Sequence, residues 1–410
     1  MDIKRISLIS AFILVSAGIG FLLYIVFFKG PATQTPPTQQ PTTQGPTDFP
    51  QAGIGGERPT TQPGGGLPVS GETPGVSGIT QQPTAPPVIA PPIRQLVSDT
   101  IAGANVRPGA VSFYNNIDGQ FYTVDAAGQT RQLSDEVFFN VQNINWSPAN
   151  NEAILEYPDG SNILYNFDSK TQVTLPRHWE EFSFSSQGDR IAAKSIGVSP
   201  DNRWLVSTDP DGKNVKLIEP LGENADKVTI DWSPNEQIVG FSRTGAALGA
   251  EREEILFVGQ NGENFRSMTV EGRGFESEWS TTGNKLLYSV HSARSDFKPE
   301  LWIVNSTPAT IGQNRESLRI NTWAHKCTFA DDRFVYCGVP EALQTGAGFA
   351  PGLANVTNDK IFRIDTQTGA QTEINTSGEQ HTIQSMFVDQ TTGNLFFTDM
   401  NQPGLFQVNI

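Results

Sequence analysis

Two cysteines and four histidines are all that 410 residues supply of the side chains most often recruited to metals and to nucleophilic chemistry. The histidines are His178, His291, His325 and His381, and no pair of them has a metal spacing such as His-Glu-x-x-His. His325 with Cys327 alone is too small a set for zinc. A Gly-x-Ser-x-Gly nucleophile elbow is missing, so nothing marks an α/β-hydrolase domain. Asp209, Asp211 and Asn214 around Gly212 make part of a calcium loop without its distal glutamate, and read as a strand-connecting turn. No catalytic residue, cofactor or metal is expected from these patterns. Positive charge is scarce as well. Lys and Arg number 28 against 43 Asp and Glu, a formal charge of −15. Residues 1–92 hold four charges of each sign, so the excess falls on 93–410, with 24 basic and 39 acidic residues. Such a surface repels phosphate backbones, and nucleic acid is not an expected partner.

One long hydrophobic run is present. Residues 6–28 are uncharged between Arg5 and Lys29, and as a helix they reach ~34 Å, enough to cross a ~30 Å hydrocarbon core. The run continues through Phe27 and Phe28 with no small-residue cleavage site, as in an uncleaved signal anchor. Lys4 and Arg5 favour a cytoplasmic amino terminus of residues 1–5 and place the remainder outside the cytoplasmic membrane, in the periplasm or at the cell surface. Residues 29–92 form a low-complexity linker. Of the 62 positions from 31 to 92, 15 are Pro, 11 Thr, 10 Gly and 8 Gln, too few apolar groups to offset the entropy of ordering. The expected arrangement is a single-pass helix, a disordered tether and a domain at 93–410.

That domain lacks helical periodicity and consists of short strands separated by turns such as Asp118-Gly119, Asp159-Gly160 and Asn261-Gly262. Ile144-Asn145-Trp146-Ser147-Pro148 returns as Ile230-Asp231-Trp232-Ser233-Pro234 and again as Ser277-Glu278-Trp279-Ser280. Trp232 and Trp279 are 47 residues apart, and Trp146 and Trp232 are 86, close to two such units. A period in the forties built of short strands predicts an all-β fold, a β-propeller. Weaker copies begin at Phe184-Ser185, Phe329-Ala330 and Phe387-Val388. Seven four-stranded blades are expected, at about 99–137, 138–176, 177–222, 223–270, 271–320, 321–376 and 377–410, with six or eight still open. Ile93–Val97 would supply the fourth strand of the last blade and remove two open sheet edges. The motif tryptophans are expected between blades. Cys327 and Cys337 flank a predicted turn, and either a disulfide or two core thiols fits that placement.

Trp146-Ser147-Pro148, Val198-Ser199-Pro200-Asp201-Asn202 and Trp232-Ser233-Pro234, each before an apolar strand, resemble the WD40-like (PD40) repeats of TolB-type propellers. Tyr122–Gly128 followed by Arg131-Gln132-Leu133 is similar to the outer strands of that repeat. The resemblance covers about 93–410 and departs from TolB in the anchor, the linker and the blade count. It implies a propeller fold used by binding scaffolds and by accessory domains of peptidases, and leaves the activity open.

Two sets of loop residues are candidates for binding. His178, His325 and His381 precede predicted innermost strands, with Trp179 and Trp323 beside them and Arg273 and Phe275 at the matching place in another blade. If exposed, they would surround the channel mouth; the alternative is that they cap and pack the blades. Long loops follow the second strands of blades four (Arg243–Arg252), five (His291–Pro299) and six (Val339–Asn358). They would raise a rim carrying Leu248, Arg252, Arg294, Phe297, Leu343, Phe349 and Leu353. The expected function is a non-catalytic, monomeric propeller that binds an envelope or extracellular protein through this face. The alternative is an enzyme, or a binder of a small carbohydrate or peptide, using His178, Glu180, Arg273 and His325 at the channel mouth.

Overall fold

The computed structural model describes residues 93–410, so the expected membrane helix at 6–28 and linker at 29–92 lie outside the described residues. Among the described residues, no helix is long and apolar enough to cross a membrane. Seven four-stranded antiparallel sheets are present. The innermost strands are Ile101–Arg107, Asn143–Trp146, Trp179–Phe184, Val228–Ile230, Arg273–Trp279, Cys327–Phe329 and Ile383–Asp389. Each packs near the innermost strand of a neighbouring blade, and the seventh packs against the first. The result is a seven-bladed β-propeller, which removes the six- and eight-bladed alternatives.

In the first six blades the strands follow chain order from the inside outward. The seventh takes its outermost strand, Arg94–Val97, from the other end of the sequence, as expected. Arg94 pairs with Gln407 and Val97 with Leu405. Ile93 is buried in a cluster with Phe406 and Val408, and the Arg94 guanidinium donates to the carbonyls of Ala126 and Ala127 in blade one. Closure pairs a strand edge that would otherwise face water and other chains.

Apolar clusters straddle the blade junctions. Trp279 stacks on Phe241 of blade four with ring centroids 5.3 Å apart. Trp232 is buried with Ala192 and Leu205 of blade three. Trp146 meets Phe121 of blade one edge-on at 5.6 Å, and its indole nitrogen donates to the Gly103 carbonyl. The repeat tryptophans therefore sit between blades, where a large ring buries most area.

The serine after each aromatic has a separate role. Ser147, Ser185, Ser233 and Ser280 are fully buried, and their hydroxyls accept backbone N–H bonds from Asn150, Arg190, Ile238 and Lys285. Each hydroxyl thus satisfies donors that a tight turn leaves without a partner. Blade three uses Phe184-Ser185 in this way. Val198-Ser199-Pro200 does not, a correction to the sequence reading: it lies between the second and third strands, Ile191–Ile196 and Arg203–Thr208, and Ser199 makes no capping bond.

Strand alternation sorts the connections onto two faces. Turns joining first to second and third to fourth strands share one side, called here the turn face. Loops entering a blade and loops joining second to third strands share the other, the loop face. On the turn face, hydrogen bonds link successive blades. Arg107 donates to Asn150 O (2.8 Å), Asn150 to Gly188 O (3.2 Å), Gln187 N to Glu236 (3.2 Å), Asn235 to Gly283 O (2.9 Å), and Thr282 N to Asp332 (3.2 Å). Gly109 N to Asp389 (3.0 Å) joins blade one to blade seven. Cys327 and Cys337, directly opposed across two strands, form a disulfide.

Candidate functional site

The three longest connections between second and third strands, all on the loop face, are 243–252, 292–298 and 341–358. They are joined to one another by hydrogen bonds. Ala293 N donates to Glu251 of the blade-four loop (2.9 Å). Gly346 N and Gly348 N of the blade-six loop donate to the carbonyls of Asp296 and Phe297 in blade five (2.9 and 2.8 Å). Gly346 has φ +85°, a left-handed conformation that glycine adopts without steric cost. Asn401 of blade seven donates to Asn355 O (2.8 Å) and extends the ridge by one blade.

Trp323, expected beside the channel mouth, is 3 % exposed and packs under this ridge with Ala347, Ala354 and Leu343. Trp179 is 5 % exposed and belongs to the blade two–three core with Leu175 and Phe182. The exposed Trp–Arg–His cluster therefore does not assemble, because burial of the indoles between elements removes far more apolar surface from water than exposure at a rim. His178 is exposed and lies edge-on to Trp179 at 6.5 Å. Arg273 is spent on the blade-four loop, donating to Gly249 O and Ala250 O with Glu253 at 3.5 Å. His381 is buried against Asp399 (2.9 Å). Leu248 and Leu353 are exposed, Arg252 pairs with Glu271 (3.7 Å), and Arg294 pairs with Glu300 while lying over the Trp302 ring at 4.8 Å. Phe297 and Phe349 are in contact at 5.2 Å, and Phe349 also meets the buried His291 ring at 4.5 Å. Burial lowers the His291 pKa, holding that imidazole neutral beneath the ridge.

Beside the ridge, at the inner edge of blades four and five, lies a cavity of about 340 Å³. Thr229, Asp231 and Phe241 come to it from blade four, Phe275, Glu276 and Glu278 from blade five, and His325 from the loop entering blade six. His325 Nδ1 and Glu276 are paired at 2.8 Å. Phe275 contacts Phe241 (5.6 Å) and Tyr288 (5.7 Å). The Glu278 side chain has neither a hydrogen-bond nor an ion-pair partner among the described residues. Desolvation by the surrounding chain, and then the nearby Asp231, push its pKa up to about 8. Desolvation likewise raises Asp231 to about 7, with the Trp279 side chain opposing the shift. Asp231 and Glu278 each immediately precede the motif tryptophan, and in an extended strand neighbouring residues point to opposite sides. Of the four polar groups expected together at the channel mouth, His325 lines this cavity while Arg273 lines a different one with Glu253 and Glu254. Among the described residues, no group of three or more His, Cys, Asp or Glu side chains is arranged to hold a metal ion.

Apolar exposure is one-sided. Of the twelve exposed large hydrophobic residues among the described residues, nine lie in loop-face connections. Ile117, Val137 and Phe139 lie at blades one and two, Val198 at blade three, and Leu248 at blade four. Phe349, Leu353 and Val356 sit on the blade-six loop, and Met400 on blade seven. Phe349 is 66 % exposed and Val356 88 %. Only Val215, Leu217 and Ile410 fall elsewhere.

No family model and no curated protein matches the chain. Among solved structures, it is similar to an oligogalacturonate lyase in complex with manganese (12 % identity, 78 % of this chain and 93 % of that one, TM-score 0.54). It is also similar to TolB from Acinetobacter baumannii (13 % identity, 65 % and 62 % covered, TM-score 0.43). The tricorn protease aligns at 9 % identity and TM-score 0.49 over 78 % of this chain, which spans 34 % of that protein. At these identities the likeness concerns the fold.

Proposed function

We propose that the chain is a membrane-tethered propeller that binds a protein of the cell envelope or exterior through its loop face, without catalysing a reaction. The observation that carries this reading is the concentration on one face of nine of the twelve exposed large apolar residues among the described residues. Scattered surface hydrophobics are ordinary, but a one-sided set, five of whose nine members lie on the blades that build the loop ridge, is what a docking surface presents. Two further features support it. The closing strand starts on the turn face, where Arg94 reaches the Ala126 and Ala127 carbonyls, so Ile93, the first described residue, lies on the side away from the loop face. The Cys327–Cys337 disulfide suits an oxidising compartment, which agrees with an apolar run at 6–28 acting as an anchor.

The ridge supplies the test. In the full-length chain, the triple variant Leu353→Asp, Val356→Asp, Met400→Asp places charge on exposed ridge positions and leaves the contacts of Phe349 with Phe297 and His291 in place. After chemical cross-linking in its native cells, the wild type is expected to yield a discrete adduct. The triple variant should lose it at least tenfold while keeping its thermal midpoint within about 2 °C, the usual insensitivity of exposed sites. An undiminished adduct overturns the assignment of the face. Trp323 is unsuitable for this purpose, because truncating a buried indole costs about 3–5 kcal/mol and would release the ridge itself.

A further inference from the structure

The cavity between blades four and five has a composition that the docking reading does not require. Its walls are apolar where Ile230, Phe241 and Phe275 line it, and three of its six polar residues, Asp231, Glu276 and Glu278, are acidic. Glu276 is already engaged by His325 at 2.8 Å. Glu278, two residues further along the same strand, points to the same side about 7 Å deeper and has no partner among the described residues. Asp231 approaches it from the neighbouring blade closely enough for the two charges to oppose each other. Two partly buried carboxylates lining one cavity without a counter-charge form an unfavourable arrangement that a cation would relieve. A divalent metal would need more ligands than converge here. An organic cation needs only one or two carboxylates, with aromatic faces beside its stem.

We propose that this cavity binds an alkyl cation, a primary ammonium or guanidinium on an aliphatic stem, with Glu278 and Asp231 as its counter-charges and Phe275 and Phe241 against the stem. The same chemistry is presented by a free amine and by a lysine or arginine side chain of a docked protein. The cavity can fill in either way, so the proposal stands apart from the reading of the ridge.

Titration calorimetry on the full-length protein with n-butylguanidinium and n-butylamine tests it, with n-butylurea as the uncharged isostere. Saturable binding of the two cations is expected at pH 8.5, with the urea at least tenfold weaker. Glu278→Gln and Asp231→Asn should each weaken binding at least tenfold, and so should lowering the pH to 6.0, where burial returns the proton to both carboxylates. Glu276 and His325 also face the cavity, so the pH arm is repeated in His325→Gln and the same loss is expected there. A blocked pentapeptide with a central arginine assigns the source. Its binding identifies a partner side chain as admissible, and its exclusion alongside retained butylguanidinium binding identifies a free amine; either outcome supports the site. Absence of saturable cation binding in the wild type overturns the proposal, as does equal affinity in both carboxylate variants. The triple ridge variant keeps the cavity residues, so loss of the adduct there with retained cation binding separates the two readings.

Discussion

Asp231→Asn and Glu278→Gln, together, are expected to stabilise the protein at pH 8.5 by about 2 kcal/mol and to flatten its stability profile between pH 6.5 and 8.5. The sign follows from where the protons sit. Unfolded, both carboxyls ionise near pH 4; folded, burial holds them to about 7 for Asp231 and about 8 for Glu278. Between those limits the native state binds more protons than the unfolded chain, so stability falls as pH rises. Water in the cavity and the coupling of the pair reduce the full shifts, leaving a wild-type loss of about 1–2 kcal/mol over this interval. Other titrations act elsewhere or more weakly. The lowered pKa of His291 costs stability only as pH falls below the ordinary imidazole value of about 6.5. Asp365, held far down by its hydrogen bonds from Arg333, gives up its contribution only in strong acid. Burial also raises Glu156 and Asp359, so a small slope should persist in the double variant. Urea denaturation midpoints at pH 6.5, 7.5 and 8.5 provide the measurement. A double variant with the wild-type slope would show that these carboxylates are freely solvated.

Starting the chain at Ser98 removes the strand that closes the ring, and a larger effect is expected. The lost burial of Ile93 and the partly buried Leu96 and Val97, with their backbone pairing, amounts to about 3–5 kcal/mol. It also opens the backbone of Leu405–Asn409 to other chains. The truncated protein should unfold at lower denaturant and form concentration-dependent oligomers in size-exclusion chromatography. A chain starting at Pro92 keeps the strand and should remain monomeric. Identical behaviour of the two would mean that the pairing of Arg94–Val97 contributes little to closure.

The ring was readable because its signals are local and repeated: Trp-Ser turns, strand lengths, and a missing partner for the last blade matched by Ile93–Val97. The three long loops were readable as lengths between strands, and their positions agree with the structure. What they present was less visible. Trp179 and Trp323 stand just outside predicted strands, where local sequence does not distinguish an exposed aromatic from one tucked under a loop 20 residues further on. Val198 carries the Ser-Pro of the repeat without its turn, Ile117 and Val198 sit on short connections, and Phe139 sits on a connection that enters a blade rather than on one joining second to third strands. Asp231 and Glu278 went unnoticed because their neighbours Trp232 and Trp279 dominate the motif. Their meeting depends on two strands 47 residues apart lying side by side, which no local pattern records. A usable signal does exist in strand alternation. The residue before the motif tryptophan must point away from it, and in blades four and five that residue is acidic while in blade two it is Asn145. The motif marks the core, but the residue preceding it marks the inner edge.

The account rests most heavily on the loop face as the surface that meets a partner. A photo-reactive amino acid placed at Val356 on the loop face, or at Val215 on the turn face, compares the two sides in the full-length protein within its native cells. Both positions are exposed, so neither substitution should disturb the fold. A discrete protein adduct from Val356 and none from Val215 is the predicted result. An adduct from Val215 with none from Val356 would contradict the account and turn the propeller over.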